Sequence, residues 1–291
     1  MRITDSISYR NLLDNISLLN ERLAKASDQV SSGKKLLQLH DGPADSAEMV
    51  DLNGQLAQID QYQTNADSAN FYLQVSESSL NSLYDLVTAV YTRGSAAANN
   101  FNDANARTAY TAEIRSQLDQ ILTLSNTQVR GRSIFAGTLV TAPAFTMNGD
   151  TATYQGNDVV NTIDISDGLQ VHQNIPGAAV FSPVFASVDA LLAAIDSGDL
   201  AAVQTALGQF STTLGAVNQV RSRLGVDLAK IQDAAVARQG QQADIQSRQA
   251  RIGNADMAAA ITQLNQLQSA LNATFSVGSV LGQKNLFDYL G

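Results

Sequence analysis

The sequence contains no cysteine and no tryptophan, and its 291 residues include only two histidines and four prolines. The absence of cysteine excludes disulfide scaffolds, thiolate metal sites and thiol nucleophiles. Neither His40 nor His172 has the second histidine or carboxylate, three or four residues further on, that a helix-borne metal site needs. We therefore expect neither a bound metal nor a cofactor.

Basic residues are few and scattered. There are 18 Lys and Arg against 27 Asp and Glu, which gives a formal net charge of -9. This balance argues against binding to nucleic acid or to anionic membranes, because both need a concentrated cationic face. The first residues lack the apolar stretch of a signal peptide, and we expect no window to approach the roughly 18 apolar residues of a membrane helix. We therefore predict no membrane partner and no cleaved secretion signal.

The clearest pattern in the chain is a heptad repeat that begins near Leu200. Apolar residues alternate spacings of three and four, as in helices that pack along narrow seams. The series then continues through more polar positions to Ile252, which predicts one helix on the order of 80 Å long. The repeat consists of Leu200, Val203, Leu207, Phe210, Leu214, Val217, Arg221, Leu224, Leu228 and Ile231.

The N-terminal half has a matching plan. Leu12, Ile16, Leu19 and Leu23 share the same spacing, which predicts a first helix over about residues 5–30. A stop follows at residues 31–35, where Gly33 suits a left-handed cap. After the turn at residues 41–43, a second helix is expected to about residue 91, then a linker over 94–102, and then a third helix to about residue 130.

The C-terminal segment repeats the plan. The register breaks at Gly253 and Asn254, which predicts a joint between two helices. A second apolar series follows, and the chain ends on an apolar segment at residues 286–290 that needs a docking partner. We predict that the subunit interface for assembly comprises Leu12, Ile16, Leu19, Leu23, Ile261, Leu264, Leu271, Phe275, Leu286 and Leu290.

The middle of the chain changes character. Asn148-Gly149 and Ser166-Asp167-Gly168 each separate two β-like runs, which predicts two hairpins. The expected fold is mainly α, with long antiparallel coiled-coil-like helices from both termini packed together and a β-rich insertion mid-chain. The predicted domains are a terminal helical pair (1–40 with 254–291), a helical rod (41–130 with 185–253) and a β-rich outer domain (131–184).

Several residue groups could suggest chemistry, but each has a simpler explanation. Ser32 and Lys35 match a Ser-x-x-Lys pattern whose companion motifs are missing, so a helix stop explains them better. Four aspartates lie in turns but lack the alternating ligand spacing and terminal Glu of a calcium loop: Asp150, Asp158, Asp164 and Asp167. No phosphate-binding glycine loop is present. We therefore predict that the protein is not an enzyme.

Several motifs resemble the flagellin family. At the N-terminus these are residues 10–12, the Ser-Ser-Gly stop at 31–35 and the restart at 41–45. Residues 255–264 resemble the matching C-terminal pattern, and residues 131–138 are similar to the entry into the β domain of family members that connect hook to filament. Ser133 stands where a tyrosine is common, and Pro43 replaces a usual Asp or Ala.

The resemblance implies a structural subunit of the bacterial flagellum, placed where hook meets filament. It implies export without a cleaved signal peptide to the extracellular flagellum, and a ring of copies with the terminal helices in the inner tube. The implied partners are other copies of the chain, a neighbouring hook-associated protein, flagellin and a cytoplasmic export chaperone. Filament flagellin is the nearest alternative, and a secreted adhesin or hydrolase with a ligand site in the β insertion is a remote one.

Overall fold

A computed structural model describes the backbone of residues 2–38 and 41–290, and the side chains of residues 7, 9–38 and 41–279. Long helices dominate these residues, and three small antiparallel strand pairs lie between α3 and α4. The predicted fold class is confirmed. The helices are α1 (Arg2–Ser32), α2 (Pro43–Asn99), α3 (Ala104–Ser125), α4 (Ala178–Ser197), α5 (Leu200–Gly253) and α6 (Met257–Leu290).

The strands form three local hairpins. They are β1 (Gln128–Val129) with β2 (Arg132–Ser133), β3 (Phe145–Asn148) with β4 (Thr151–Tyr154), and β5 (Thr162–Ser166) with β6 (Leu169–His172). Gly149 and Gly168 have φ values of 64° and 65°, the left-handed conformation that tight hairpin turns require. The second and third pairs are therefore the two hairpins that the turn sequences predict.

The chain divides into two compact units, one made of residues 1–58 with 240–291 and the other of residues 59–239. The division into three domains that we predict from the sequence remains a prediction. Its β-rich range, 131–184, includes the start of α4, because helix begins at Ala178.

An aromatic cluster forms part of the core of the 59–239 unit. The Phe135 and Phe181 rings lie 4.9 Å apart between centroids, and Phe145 lies 5.1 Å from Phe185 and 5.0 Å from Tyr154. The cluster joins the β region to α4, and α4 also packs against α3. The chain has few aromatic residues, and most of the phenylalanines of this unit belong to this one cluster.

Helix α4 corrects the expectation about membrane spans. Within the residues that were searched, it is the one helix long and apolar enough to cross a membrane by length and composition, with a mean hydropathy of 1.9 over its window. Its Val184, Val188 and Leu191 side chains are fully buried in the protein core. A soluble protein's core helix passes the same test, and burial explains the apolar composition here.

Helices α2 and α5 run antiparallel within the 59–239 unit. Tyr91 contacts Phe210 near one end, and Arg238 contacts Gln63 near the other. The heptad residues of α5 form the buried seam: Val203, Phe210 and Val217 are fully buried. The predicted single long helix and its seam are thus present.

Polar residues of α2 pair with arginines of α5. Arg221 Nη2 lies 3.3 Å from Glu77 Oε1, and Arg238 donates to Gln63 Oε1 from Nε at 3.3 Å and from Nη2 at 3.2 Å. The partners on α5 are thus arginines that lie on its own heptad seam.

Helix α2 does not end near residue 91. It continues through Gly94 to Asn99, so the linker expected at 94–102 is reduced to the few residues before α3. Gly94 permits close packing, since a Cβ there would lie 2.7 Å from Leu191 Cδ2 and 2.9 Å from Leu207 Cδ2. Gly94, which looks like a helix breaker in the sequence, lies where α2, α4 and α5 approach one another.

Candidate assembly surface

Helices α1 and α6 pack against each other in the unit of residues 1–58 and 240–291. They are antiparallel: a Cβ on Gly278 would lie 3.0 Å from Leu12 Cδ2, whereas Lys34 and Asn254 form an antiparallel bridge at the other end. The pairing of the two terminal segments follows from their heptad patterns, because each helix alone would leave an apolar seam in water.

Six of the predicted interface residues are half-buried. They recur with heptad spacing on the two packed helices, which places them along the seam within one chain. Buried Ala26 and Ala260 continue the same two series. The six are Leu12, Ile16, Leu19, Leu23, Leu264 and Leu271.

Two of the other four predicted interface residues lie outside this half-buried series. Ile261 and Phe275 are exposed, at 44% and 53% of their surface, on the outward side of α6. The side chains of Leu286 and Leu290 lie outside the described residues. The inward-facing α6 series begins with buried Ala260 and continues through half-buried Leu264, Leu267, Leu271, Thr274 and Gly278. It includes small residues, which an apolar pattern search passes over.

Both helices present large apolar side chains to solvent. On α1 these include Ile7, Tyr9, Leu13 and Leu18, which are 45% to 61% exposed, and on α6 Val277 joins Ile261 and Phe275. These side chains lie on more than one side of each helix, and together they offer apolar surface that another protein can cover. Tyr9, Leu13 and Val277 are missing from the sequence-based prediction because they lie off the heptad seam.

The two helices differ in charge. Residues 257–279 of α6 contain no Asp, Glu, Lys or Arg, whereas α1 carries Arg10, Asp14, Glu21, Lys25 and Asp28. Burying an uncharged face avoids the desolvation cost that charged side chains carry. Covering the outward side of α6 therefore costs less desolvation free energy than covering that of α1.

The joint between α5 and α6 is tied to the end of α1 by backbone hydrogen bonds. The Lys35 N–H donates to the Gly253 carbonyl at 2.7 Å, and the Ala255 N–H donates to the Gly33 carbonyl at 2.9 Å. Gly33 has φ 69°, the left-handed conformation expected of a helix stop. Asp256 then caps α6 by accepting the N–H of Ala258 and of Ala259.

Asp41 anchors the segment that follows α1. The Lys25 ammonium donates to its carboxylate, and the N–H groups of Gln38 and Leu37 donate to Oδ2 at 3.0 and 3.1 Å. The Lys25 hydrogen bond is the largest of the effects that lower the pKa of Asp41 from 3.8 to about 2. Sequence patterns do not reveal this contact, because sixteen residues separate its partners.

A cleft of about 690 Å³ lies beside this joint. Leu36, Leu37 and Met49 form its apolar wall, and Val50 and Gln249 also line it. Val50 is 61% exposed. The cleft therefore extends the exposed apolar surface of the unit to the joint.

The residues considered for chemistry have structural partners. Ser32 Oγ donates to the Asp28 carbonyl at 2.6 Å, and Lys35 Nζ lies 2.8 Å from Asp45 Oδ2. His172 Nδ1 lies 2.6 Å from Asp227 Oδ2, and His40 is outside the described residues. Among the residues searched, no group of three or more His, Asp or Glu could hold a metal ion.

Residues 3–139 match the family model for the bacterial flagellin N-terminal helical region. Flagellar hook-associated protein 3 of Escherichia coli strain K12 is 23% identical over 320 residues, covering 99% of each chain. The protein of that name from Salmonella typhimurium is 24% identical over 79% of this chain and 81% of its own length. This chain is similar to the flagellin family. The resemblance inferred from the motifs is thereby confirmed.

The flagellins match a shorter part of the chain. Flagellin of Aquifex aeolicus is 28% identical over 137 residues, which cover 45% of this chain and 25% of that protein. Among solved structures, Bacillus cereus FlgL superposes with a TM-score of 0.61 at 23% identity, covering 69% of this chain and 99% of that chain. The flagellar junction protein FlgL of Legionella pneumophila gives 0.61 at 14% identity, over 71% and 100%. These superpositions establish a shared fold.

Proposed function

We propose that this protein is a structural component of the bacterial flagellum that joins the hook to the filament. The observation that carries this conclusion is the full-length similarity to hook-associated protein 3, which extends over 99% of both chains, whereas the flagellin matches cover less than half of this chain. A filament flagellin is the second candidate, supported by the family match at residues 3–139.

Assembly is proposed to use the outward faces of α1 and α6. The exposed apolar residues and the uncharged span 257–279 support a face that neighbouring subunits cover. The proposed partners are further copies in a ring, a neighbouring hook-associated protein and flagellin. Before export, a cytoplasmic chaperone would shield the same apolar helix. Leu286 and Leu290 belong to this proposal through their place in the sequence alone.

Connection of two tubes requires packing and stiffness, and no chemical step. We therefore propose that the protein is not an enzyme and that it works outside the cell, exported without a cleaved signal peptide. The partnered state of Ser32, Lys35 and His172 supports the first statement. A hydrolase or adhesin would need a site in residues 131–184 whose point substitution abolishes turnover or binding.

The decisive experiment deletes the gene and examines hooks, filaments and culture medium. A junction protein predicts cells that keep their hooks, lose their filaments and shed unpolymerised flagellin. Complementation with the intact chain serves as the control. Stable filaments in the deletion strain would contradict the proposal. A filament flagellin instead predicts many copies along the filament, which immunogold labelling counts.

A further inference from the structure

An apolar pocket of about 270 Å³ opens in the unit of residues 59–239. This volume falls below the usual range for small-molecule sites, and it suits a single large side chain. Buried Asp227 lines the pocket. Its carboxylate needs no ligand, because it already pairs with His172 at 2.6 Å and Lys230 at 3.0 Å. The pocket walls include Leu73, Val160, Ile175, Pro176, Val220 and Leu224.

The pocket also has charged groups of both signs. Asp158 and Arg223 line it, and both are exposed. Neither forms an ion pair with another residue in the part of the chain that the structure describes. An apolar pocket flanked by two unpaired opposite charges can select an incoming group by shape and by charge together.

A matching projection exists on the same unit. Phe71 of α2 is 45% exposed, and the Arg130 guanidinium lies 5.7 Å from the centre of its ring. Arg130 has φ 53°, an uncommon conformation for a residue other than glycine, in the turn between β1 and β2. Asp67 lies one helical turn before Phe71 and is exposed. The projection thus combines an aromatic ring with a cation and an anion.

The projection and the pocket lie on different sides of α2. Phe71 and Leu73 are two residues apart, so about 200° of helix rotation separates them. One chain therefore cannot insert its own Phe71 into its own pocket. A contact between two different patches of identical chains is heterologous, and repetition of such a contact builds a ring or a helical array.

We propose that Phe71 of one copy enters the apolar pocket of a second copy of this chain. Arg130 then lies beside Asp158 of that copy, and Asp67 lies beside its Arg223. The inference rests on the proposed function, because it requires copies assembled side by side. Aromatic and arginine side chains that fill a pocket are the usual anchors of protein interfaces.

Chemical cross-linking tests the contact, since the chain has no cysteine of its own. The full chain with Asp67→Cys and Arg223→Cys replaces the native copy in cells, and isolated flagella are treated with a short bismaleimide. A spaced reagent is needed because an Asp–Arg pair spans more than the Cα separation of a disulfide. We expect a ladder of linked chains, which each single-cysteine chain fails to give.

The matched control pairs Arg223→Cys with Asp85→Cys. Asp85 is exposed on the same side of α2 as Asp67 but about 27 Å further along the helix axis. A ladder from the Asp67 pair alone supports the contact. Chain that is present in isolated flagella but gives no ladder, or gives the same ladder with both pairs, overturns it while the proposed function stands. Absence of the native, unsubstituted chain from isolated flagella overturns both.

Substitutions give an independent readout. Phe71→Ala should lower filament retention, whereas Leu139→Ala, at an equally exposed apolar position, should not. Asp67→Arg and Arg223→Asp should each reduce retention, and the double variant should restore it, because the swapped charges pair again across the contact. Equal loss from Phe71→Ala and Leu139→Ala, or no restoration in the double variant, would count against the contact.

Discussion

Replacing Arg238 with alanine should destabilise the protein more than any exposed arginine substitution. Arg238 is 3% exposed, and its Nη1 donates to the carbonyl of fully buried Ile165 at 2.6 Å. The truncation leaves that carbonyl unpaired, which costs roughly 1–3 kcal/mol. Loss of the buried aliphatic stem adds about 1 kcal/mol, and relief of the buried charge returns part of the total.

The net expectation is a loss of about 2–3 kcal/mol. Burial of the charge already has a cost in the native protein, as the lowered pKa of Arg238 indicates. For a unit of this size, the change corresponds to a fall in Tm of roughly 4–12 °C. Far-UV circular dichroism of the purified full chain, melted in parallel with the native protein, measures it.

Two variants separate the causes. Arg93→Ala breaks an exposed ion pair with Glu113, at 2.7 Å, and should cost less than about 1 kcal/mol. Arg238→Met keeps an aliphatic stem but leaves the Ile165 carbonyl unpaired, so it should recover only the packing part of the loss. Equal melting of the Arg238→Ala and Arg93→Ala chains would refute the reasoning, because it would mean that the buried hydrogen bond contributes nothing.

Three further predictions concern acid stability, packing and assembly. The folded pKa of Asp41 lies near 2, below its ordinary 3.8, so its contribution to folding stability is present above about pH 4 and is lost as the pH falls through 2. In urea titrations, Asp41→Asn should therefore lower the stability at neutral pH and have no effect below pH 2. Gly94→Ala should destabilise by about 1–3 kcal/mol through overpacking, whereas Gly208→Ala, with nothing within 4 Å of the added Cβ, should stabilise by up to about 1 kcal/mol; the same sign for both in thermal melts would contradict this account. Ile261→Asp should leave the melting of the monomer unchanged and abolish filament attachment, while Leu264→Asp should impair both; normal motility of the Ile261 variant would exclude the outward face of α6 from assembly.

The rod could be predicted because its apolar residues repeat with one period over many turns. Val203, Phe210 and Val217 specify both the helix and the side that it buries. The hairpins were predictable for a local reason as well, since Gly149 and Gly168 follow residues that favour tight turns. In both cases the signal lies within a few neighbouring residues.

Features that depend on distant partners could not be predicted. Gly94 looks like a break until Leu191 and Leu207 are placed against it. In the sequence, Arg238 interrupts the apolar heptad repeat. Its role follows only from the structure, where it donates hydrogen bonds to the Ile165 carbonyl and to Gln63. The α6 seam contains Ala260 and Gly278, small residues that a hydrophobic pattern does not count. The sequence therefore reveals periodic packing more readily than close approaches or buried polar pairs.

The uncharged span of α6 has a consequence for how an assembled joint responds to its surroundings. Dissolved salt weakens attraction between exposed charges, over a Debye length of about 8 Å at physiological ionic strength. A contact made through Ile261, Phe275 and Val277 contains no charge to screen, and the hydrophobic effect that holds it is strengthened by strongly hydrated salts. The part of the joint that α6 contributes would hold at least as well in saline water as in dilute water.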